Sequence, residues 1–187
     1  MATTISRVGY GQVEPNHLSA QRTGQIYAQL PADSSISLLE NGQFVKYDYA
    51  NGVVDFAGKG EWMLVFNEIK LYDVLKQQAK DFAMIASDYA EGGLSYHEGM
   101  GDEQGQMYPR VFKLNIGDIY TTNCVGGANT SNTATYEGLD LEVGDTLSPI
   151  ADTGYLSTTG DGTITLQVVK IYTMPDGQPA VKLMRIA

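Results

Sequence analysis

The sequence predicts a mainly β protein with one helix, a β-rich α+β chain with a barrel- or sandwich-like body and an extended N-terminal arm. Three observations predict it. Gly, Thr, Asn, Asp and Tyr punctuate short apolar runs almost from end to end, which is the composition of strands joined by tight turns. The last third alternates turns and strands most plainly, with Gly117-Asp118, Gly144-Asp145 and then Thr163-Ile164-Thr165-Leu166-Gln167-Val168-Val169-Lys170-Ile171-Tyr172. Only one stretch carries a helical period.

Residues 1–33 form the predicted arm. Gly9, Gly11, Pro15, Gly24 and Pro31 interrupt any helix, and Val8, Tyr10, Val13, Leu18, Ile26, Tyr27 and Leu30 follow no sustained period. A disordered terminus is the plainer reading. Its aromatic and β-branched residues favour an ordered arm that packs on a neighbour.

The body spans residues 34–187. Glu40-Asn41-Gly42-Gln43 reads as a polar turn after Ile36-Ser37-Leu38-Leu39. Phe44-Val45-Lys46-Tyr47-Asp48-Tyr49 reads as a strand, with Phe44 and Lys46 on the face opposite Val45 and Tyr47. Asn51-Gly52 is a hairpin signal, since both positions tolerate positive φ, and Val53-Val54-Asp55-Phe56 returns. After a turn at Gly58-Lys59-Gly60, Trp62-Met63-Leu64-Val65-Phe66 is apolar on both faces and is the expected central buried strand.

Residues 72–86 supply the helix. Leu75, Ala79, Phe82 and Ile85-Ala86 share one face, with Lys76, Gln77, Lys80 and Asp81 on the other. Long polar loops are expected over 91–109 and 123–135. Pro175-Asp176-Gly177 marks the turn of a closing hairpin between residues 168–172 and 180–184. Asn115-Ile116-Gly117-Asp118-Ile119 echoes Glu142-Val143-Gly144-Asp145-Thr146, which reads as a common strand-entry turn used twice.

Composition excludes some functions. Charged residues make up 18% of the 187, below the roughly 25% usual in soluble domains, so part of the surface is expected to be covered by a partner. The formal charge is −10, with 22 acidic against 12 basic residues. Nucleic-acid affinity needs clustered cations, and an anionic membrane needs them too, so neither is an expected partner. No run of about 18 apolar residues is present. The first residues lack the apolar core of a secretion signal, and Cys124 is the single cysteine, so synthesis in a reducing cytoplasm is expected.

Chemistry-bearing groups are sparse. His97 stands near Glu98, Asp102 and Glu103 in a glycine-rich stretch that reads as a solvated acidic loop; its spacing fits no calcium loop. Cys124 with His97 would be a conceivable nucleophile pair, but a lone cysteine in a β protein is more often a small buried hydrophobe. No catalytic residue, cofactor or metal site is expected. The twelve tyrosines carry more weight. Tyrosine joins a large apolar body to a polar tip and is enriched at interfaces. Contact with protein is the simplest account of Tyr10, Tyr27, Tyr96 and Tyr108, with stacking on sugar rings as the alternative.

In texture the chain resembles an auxiliary head protein of tailed bacteriophages, a capsid decoration or cement protein. The stretches that carry the resemblance are the Gly, Pro and Tyr-bearing arm before Leu39-Glu40-Asn41-Gly42-Gln43-Phe44-Val45, then Glu61-Trp62-Met63-Leu64-Val65-Phe66-Asn67-Glu68, Val143-Gly144-Asp145-Thr146-Leu147 and 172–181. The resemblance implies a non-enzymatic virion protein on the outer capsid surface that bridges capsid subunits. Its partners would be the major capsid protein and its own copies, in a homo-oligomer or in lateral contact. Arm contacts are then expected at Tyr10, Val13, Ile26, Tyr27 and Leu30, and loop contacts at Tyr96, Met100, Met107 and Tyr108. The competing expectation is a receptor- or glycan-binding module of a head fibre or tail.

Overall fold

Residues 1–7, 10–19, 30–67, 83–85, 107–126 and 138–187 are described by the structure, a computed structural model. Among them the chain is mainly β, in a sandwich-like arrangement, and no helical element is defined. One antiparallel sheet contains four strands: β4 (Phe44–Asp48), β5 (Val53–Asp55), β6 (Met63–Val65) and β8 (Val111–Phe112), in the order β5-β4-β6-β8. The expected strand at 44–49 and the expected buried strand at 62–66 are both present, and the latter is interior to its sheet. Met63, Leu64 and Val65 are 2%, 0% and 0% exposed.

This sheet is buried on both faces. Phe44 pairs with Leu64, and Val45 with Met63. Because side chains alternate along a strand, Phe44 and Leu64 enter one core with Trp62, Leu166 and Leu183. Val45, Tyr47, Met63 and Val65 enter a second core with Ile36, Leu39, Met84 and Met107. The first core is closed by the six-stranded sheet. The second lies on the side of a two-stranded pair, β3 (Leu38–Glu40) with β7 (Ala83–Ile85).

The Asn51-Gly52 hairpin is real, but its connection is four residues long, since Asp48 pairs with Val53. Gly52 takes φ 70°. The Asp48 carboxylate accepts from the backbone of Ala50 and Asn51 and from Asn51 Nδ2 at 2.9, 3.2 and 2.7 Å. Asn51 therefore closes the turn through its side chain.

The six-stranded sheet is built around the closing hairpin of β13 (Leu166–Thr173) and β14 (Pro179–Arg185), which turns at Pro175-Asp176-Gly177 as expected. Its order is β12-β11-β13-β14-β9-β2, where β2 is Val13–His17, β9 Ile119–Thr122, β11 Thr146–Pro149 and β12 Leu156–Ser157. The two Gly-Asp turns enter β9 and β11 in the same way. Gly117 N–H donates to Arg185 O, and Arg185 N–H donates back to Asp118 O, at 2.8 and 3.0 Å. Gly144 N–H donates to Val168 O, and Val168 N–H donates back to Asp145 O, both at 2.8 Å. Each aspartate also accepts from the backbone three residues earlier, at 2.8 Å. The echo is thus a strand-entry turn made twice, on the two outer sides of one hairpin. β9 runs antiparallel to β14, and β11 antiparallel to β13. The chain therefore enters β9 and β11 in opposite directions, with both turns anchored near the Leu166–Arg185 end of the hairpin.

Two expectations differ from what the described residues show. The described part of residues 1–33 is woven into the body. β1 (Thr3–Ile5) pairs with β10 (Leu139–Leu141), and β2 forms the edge of the six-stranded sheet. Ile5 and Leu18 are 0% and 2% exposed in the first core. Pro15 is tolerated in β2 because an edge strand has one side with no ladder to donate to. Residues 20–29, including Ile26 and Tyr27, lie outside the described residues. Of the expected helix at 72–86, residues 72–82 and 86 lie outside them as well. Ala83–Ile85 form β7, so the helix does not cover those three: strand pairing to Leu38–Glu40 overrides the helical spacing of a short apolar run.

A chain lacking residues 1–30 is accordingly expected to lose stability. Burial of Ile5 and of Leu18 alone contributes about 1.5–3 kcal/mol each. Urea denaturation followed through Trp62, the single tryptophan, should show a lower midpoint or no folded baseline. An unchanged midpoint would restore the detached arm.

Candidate partner-contact surface and the buried node behind it

The Glu40-Asn41-Gly42-Gln43 turn is not at the surface. Glu40, Asn41 and Gln43 are 0%, 1% and 3% exposed. The Glu40 carboxylate accepts from Arg7 Nη2 at 3.0 Å, from Gly11 N–H at 2.9 Å and from the Tyr155 hydroxyl. Arg7, itself 1% exposed, also donates to Val125 O at 3.3 Å and stands 5.3 Å from the Tyr155 ring centre. Gln43 accepts from Glu40 N–H at 2.9 Å and donates to Thr153 O at 2.7 Å. Asn41 holds the backbone of Asn67, and Asn67 Oδ1 accepts from Arg110 N–H at 2.8 Å. A buried charge persists only when it is paired and hydrogen-bonded, and Glu40 meets that condition with three donors.

Cys124 lies beside this node and is fully buried. Burial pushes its thiol up to about 12 against the opposing pull of Arg7, so at neutral pH it is a thiol, without the thiolate a nucleophile needs. Packing explains the glycines around it. A Cβ on Gly11 would stand 2.6 Å from Cys124 Cβ and 2.4 Å from Asn41 O. Gly42 has φ 96°, and its Cβ would meet Cys124 Cβ at 2.6 Å. His97 and the acidic loop around it lie outside the described residues.

A second polar contact anchors the first core. Trp62 Nε1 donates to Asp161 Oδ2 at 2.6 Å, Lys46 Nζ lies 3.5 Å from the same oxygen, and Thr163 donates to Oδ1 from its backbone and hydroxyl. The Gly160-Asp161-Gly162 turn is therefore also the cap of Trp62. Burial alone would raise the Asp161 carboxyl, but the Thr163 and Trp62 hydrogen bonds and the Lys46 charge bring it below the ordinary value of 3.8.

Among the described residues, the most exposed large apolar side chains after the terminal Met1 are Tyr49, Ile116 and Val143, at 73%, 72% and 64%. Ile116 and Val143 occupy the same position in the two Gly-Asp turns. Their lateral separation is three strand spacings, about 14 Å. On the six-stranded sheet, Lys170, Lys182, Thr121 and Glu14 form one cross-strand row over β13, β14, β9 and β2. The Tyr172 hydroxyl lies 2.9 Å from Glu14 Oε2 and 2.6 Å from Thr121 Oγ1.

Among the described residues, the expected contact residues lie in different parts of the fold. Val13 is half-buried in β2 against the first core, and Leu30 packs on the second. Tyr10 and Tyr108 are half-buried. Met107, expected in a loop contact, is 2% exposed inside the second core, and its carbonyl accepts from Ala32 N–H at 2.7 Å. Tyr96 and Met100 lie outside the described residues. Sequence reasoning missed Ile116, Val143 and the lysine row. The signal for the first two was present: an apolar residue directly before a Gly-Asp turn has no strand face to enter. A shallow cleft of about 170 Å³ opens beside Tyr155, with Ser35, Ser37, Gln43, Phe56 and Asp152 on its walls.

No protein-family model matches this chain, and no curated protein or solved structure matches it significantly.

Two outcomes are expected from the node and the tryptophan cap. Replacing Arg7 by Met leaves Glu40 buried without its cation and should cost about 3–5 kcal/mol; Arg7→Met with Glu40→Met should recover part of that loss in a double-mutant cycle read by urea midpoints. Asp161 has a depressed pKa in the fold, so its contribution is present above pH 3.8 and is lost as the pH falls below it. Asp161→Asn should lower stability at neutral pH and flatten the loss on acidification below 3.8. An acid limb as steep as the wild type's would remove Asp161 from that role.

Proposed function

We propose that this chain is a non-enzymatic virion structural protein that binds the outside of a phage capsid and stabilises the shell by bridging its subunits. One observation supports bridging most directly. Ile116 and Val143, two exposed apolar side chains, stand on turns at the two outer sides of the central hairpin of the six-stranded sheet. Each turn is fixed to the central hairpin by a reciprocal pair of backbone hydrogen bonds. Apolar tips held by backbone hydrogen bonds lose little entropy on docking, and two laterally separated tips offer contact to more than one neighbour. The acidic, tyrosine-rich and charge-poor composition is consistent with such a surface.

The mechanism is mass action. A protein that binds the assembled shell better than free subunits shifts the equilibrium toward the shell by its differential affinity. The contacts proposed here move from the N-terminal segment to the turn tips, because the described part of that segment packs on the chain's own cores.

A glycan-binding accessory module is the second reading. The cleft beside Tyr155 favours it, since Phe56 stands there with serine hydroxyls and the Asp152 carboxylate. Its volume is well below the roughly 300–1,000 Å³ of most small-molecule pockets, so it would hold no more than one sugar ring.

Co-sedimentation with intact heads and with heads stripped of auxiliary proteins tests the first reading. Saturable binding to stripped heads, with a gain in shell heat resistance, is expected. Ile116→Glu with Val143→Glu should abolish that gain while changing fold stability by less than about 0.5 kcal/mol. Failure to bind any shell would overturn the proposal and bring a glycan array forward.

A further inference from the structure

We propose that the Lys170–Lys182 pair on the six-stranded sheet is a docking surface for a carboxylate-rich segment of another protein. The two lysines are direct cross-strand partners in β13 and β14. Like charges placed directly opposite each other destabilise a sheet, so the pair needs an account beyond folding. The chain has ample means to neutralise them, with 22 acidic residues against 12 basic. It does so elsewhere: Arg7, Lys46, Lys113 and Arg185 each lie against a carboxylate.

Among the described residues Lys170 and Lys182 have no ion-pair partner. Both ammonium groups instead gather over one ring, at 5.5 and 5.7 Å from the Tyr172 centre. The carboxylate nearest in the row, Glu14, is held by the Tyr172 hydroxyl at 2.9 Å. The result is two cations focused on one aromatic platform, with their neighbouring acid turned to a neutral donor. An anionic side chain that reaches this platform gains both charges at once.

Charge complementarity selects the occupant. Net charge −10 disfavours a second copy of this chain at long range, while at physiological salt the field of a local patch governs contacts within about 8 Å. A partner with closely spaced Glu or Asp side chains matches two ammonium groups held side by side. The inference does not rest on the capsid reading, and its test uses no shell.

Fluorescein-labelled poly-L-glutamate is the probe, titrated by anisotropy at low and at high salt. The wild-type protein should bind it, and salt should weaken the complex. Lys170→Glu with Lys182→Glu should weaken binding by about tenfold or more, and Lys59→Glu, at an exposed lysine elsewhere, should not. Lys182→Thr gives a second readout. It relieves the opposed charges, so it should raise the urea midpoint while weakening the probe; a purely structural lysine would lower the midpoint and leave probe binding unchanged. No binding at low salt, or equal binding by the double variant, overturns the proposal. Stronger lysine-dependent binding to heparin than to polyglutamate overturns the partner class in favour of an anionic glycan.

Discussion

The ion pair between Arg7 and Glu40 is the interaction on which the rest of this structure depends. It draws together segments far apart in sequence: the start of the chain, the end of β3, the backbone at Val125 and the Tyr155 hydroxyl. Desolvating both charges is expensive, and their mutual attraction alone rarely offsets it. Here Gly11 N–H and Tyr155 complete the shell around the carboxylate. Such a node adds little net stability over a well-packed apolar alternative. Its effect is on register, because only one placement of the N-terminal segment brings Arg7 to Glu40.

That constraint explains the packing around it. With the first residues held, β1 pairs β10 and β2 closes the edge of the six-stranded sheet. Gly11 and Gly42 then lie so close to Cys124 that neither position has room for a side chain. The cysteine that looked like a possible nucleophile is a space-filling group at a crowded crossing. Its raised pKa follows from the same burial.

The surface divides into parts with different physics. The apolar tips at Ile116 and Val143 belong to rigid turns and favour contact by area. The Lys170–Lys182 row favours contact by charge and would be salt-sensitive. The two belong to different places on one sheet, so a partner assembly could use both. The internal polar groups serve a separate purpose: Asn41, Gln43 and Asn67 bond to backbone, and Glu40 is held by Arg7, Gly11 and Tyr155.

The sequence by itself determined the class and the local turns. Alternation in 44–49, the doubly apolar run at 62–66, Asn51-Gly52 and Pro175-Asp176-Gly177 all depend on neighbours a few residues away, and each stands in the structure where the pattern put it. Tertiary structure decided what those patterns could not hold. The N-terminal segment lacked periodicity because its strands are short and pair with partners more than a hundred residues distant. Glu40 to Gln43 read as a surface turn because burial of a polar turn depends on Arg7 and Tyr155 arriving there. Ala83–Ile85 became strand because Leu38–Glu40 offered a ladder. The opposed lysines exist only once β13 and β14 fix their register. In the first three cases the deciding partner is remote along the chain, and local composition carries no record of which remote segment will supply the hydrogen bond or the charge.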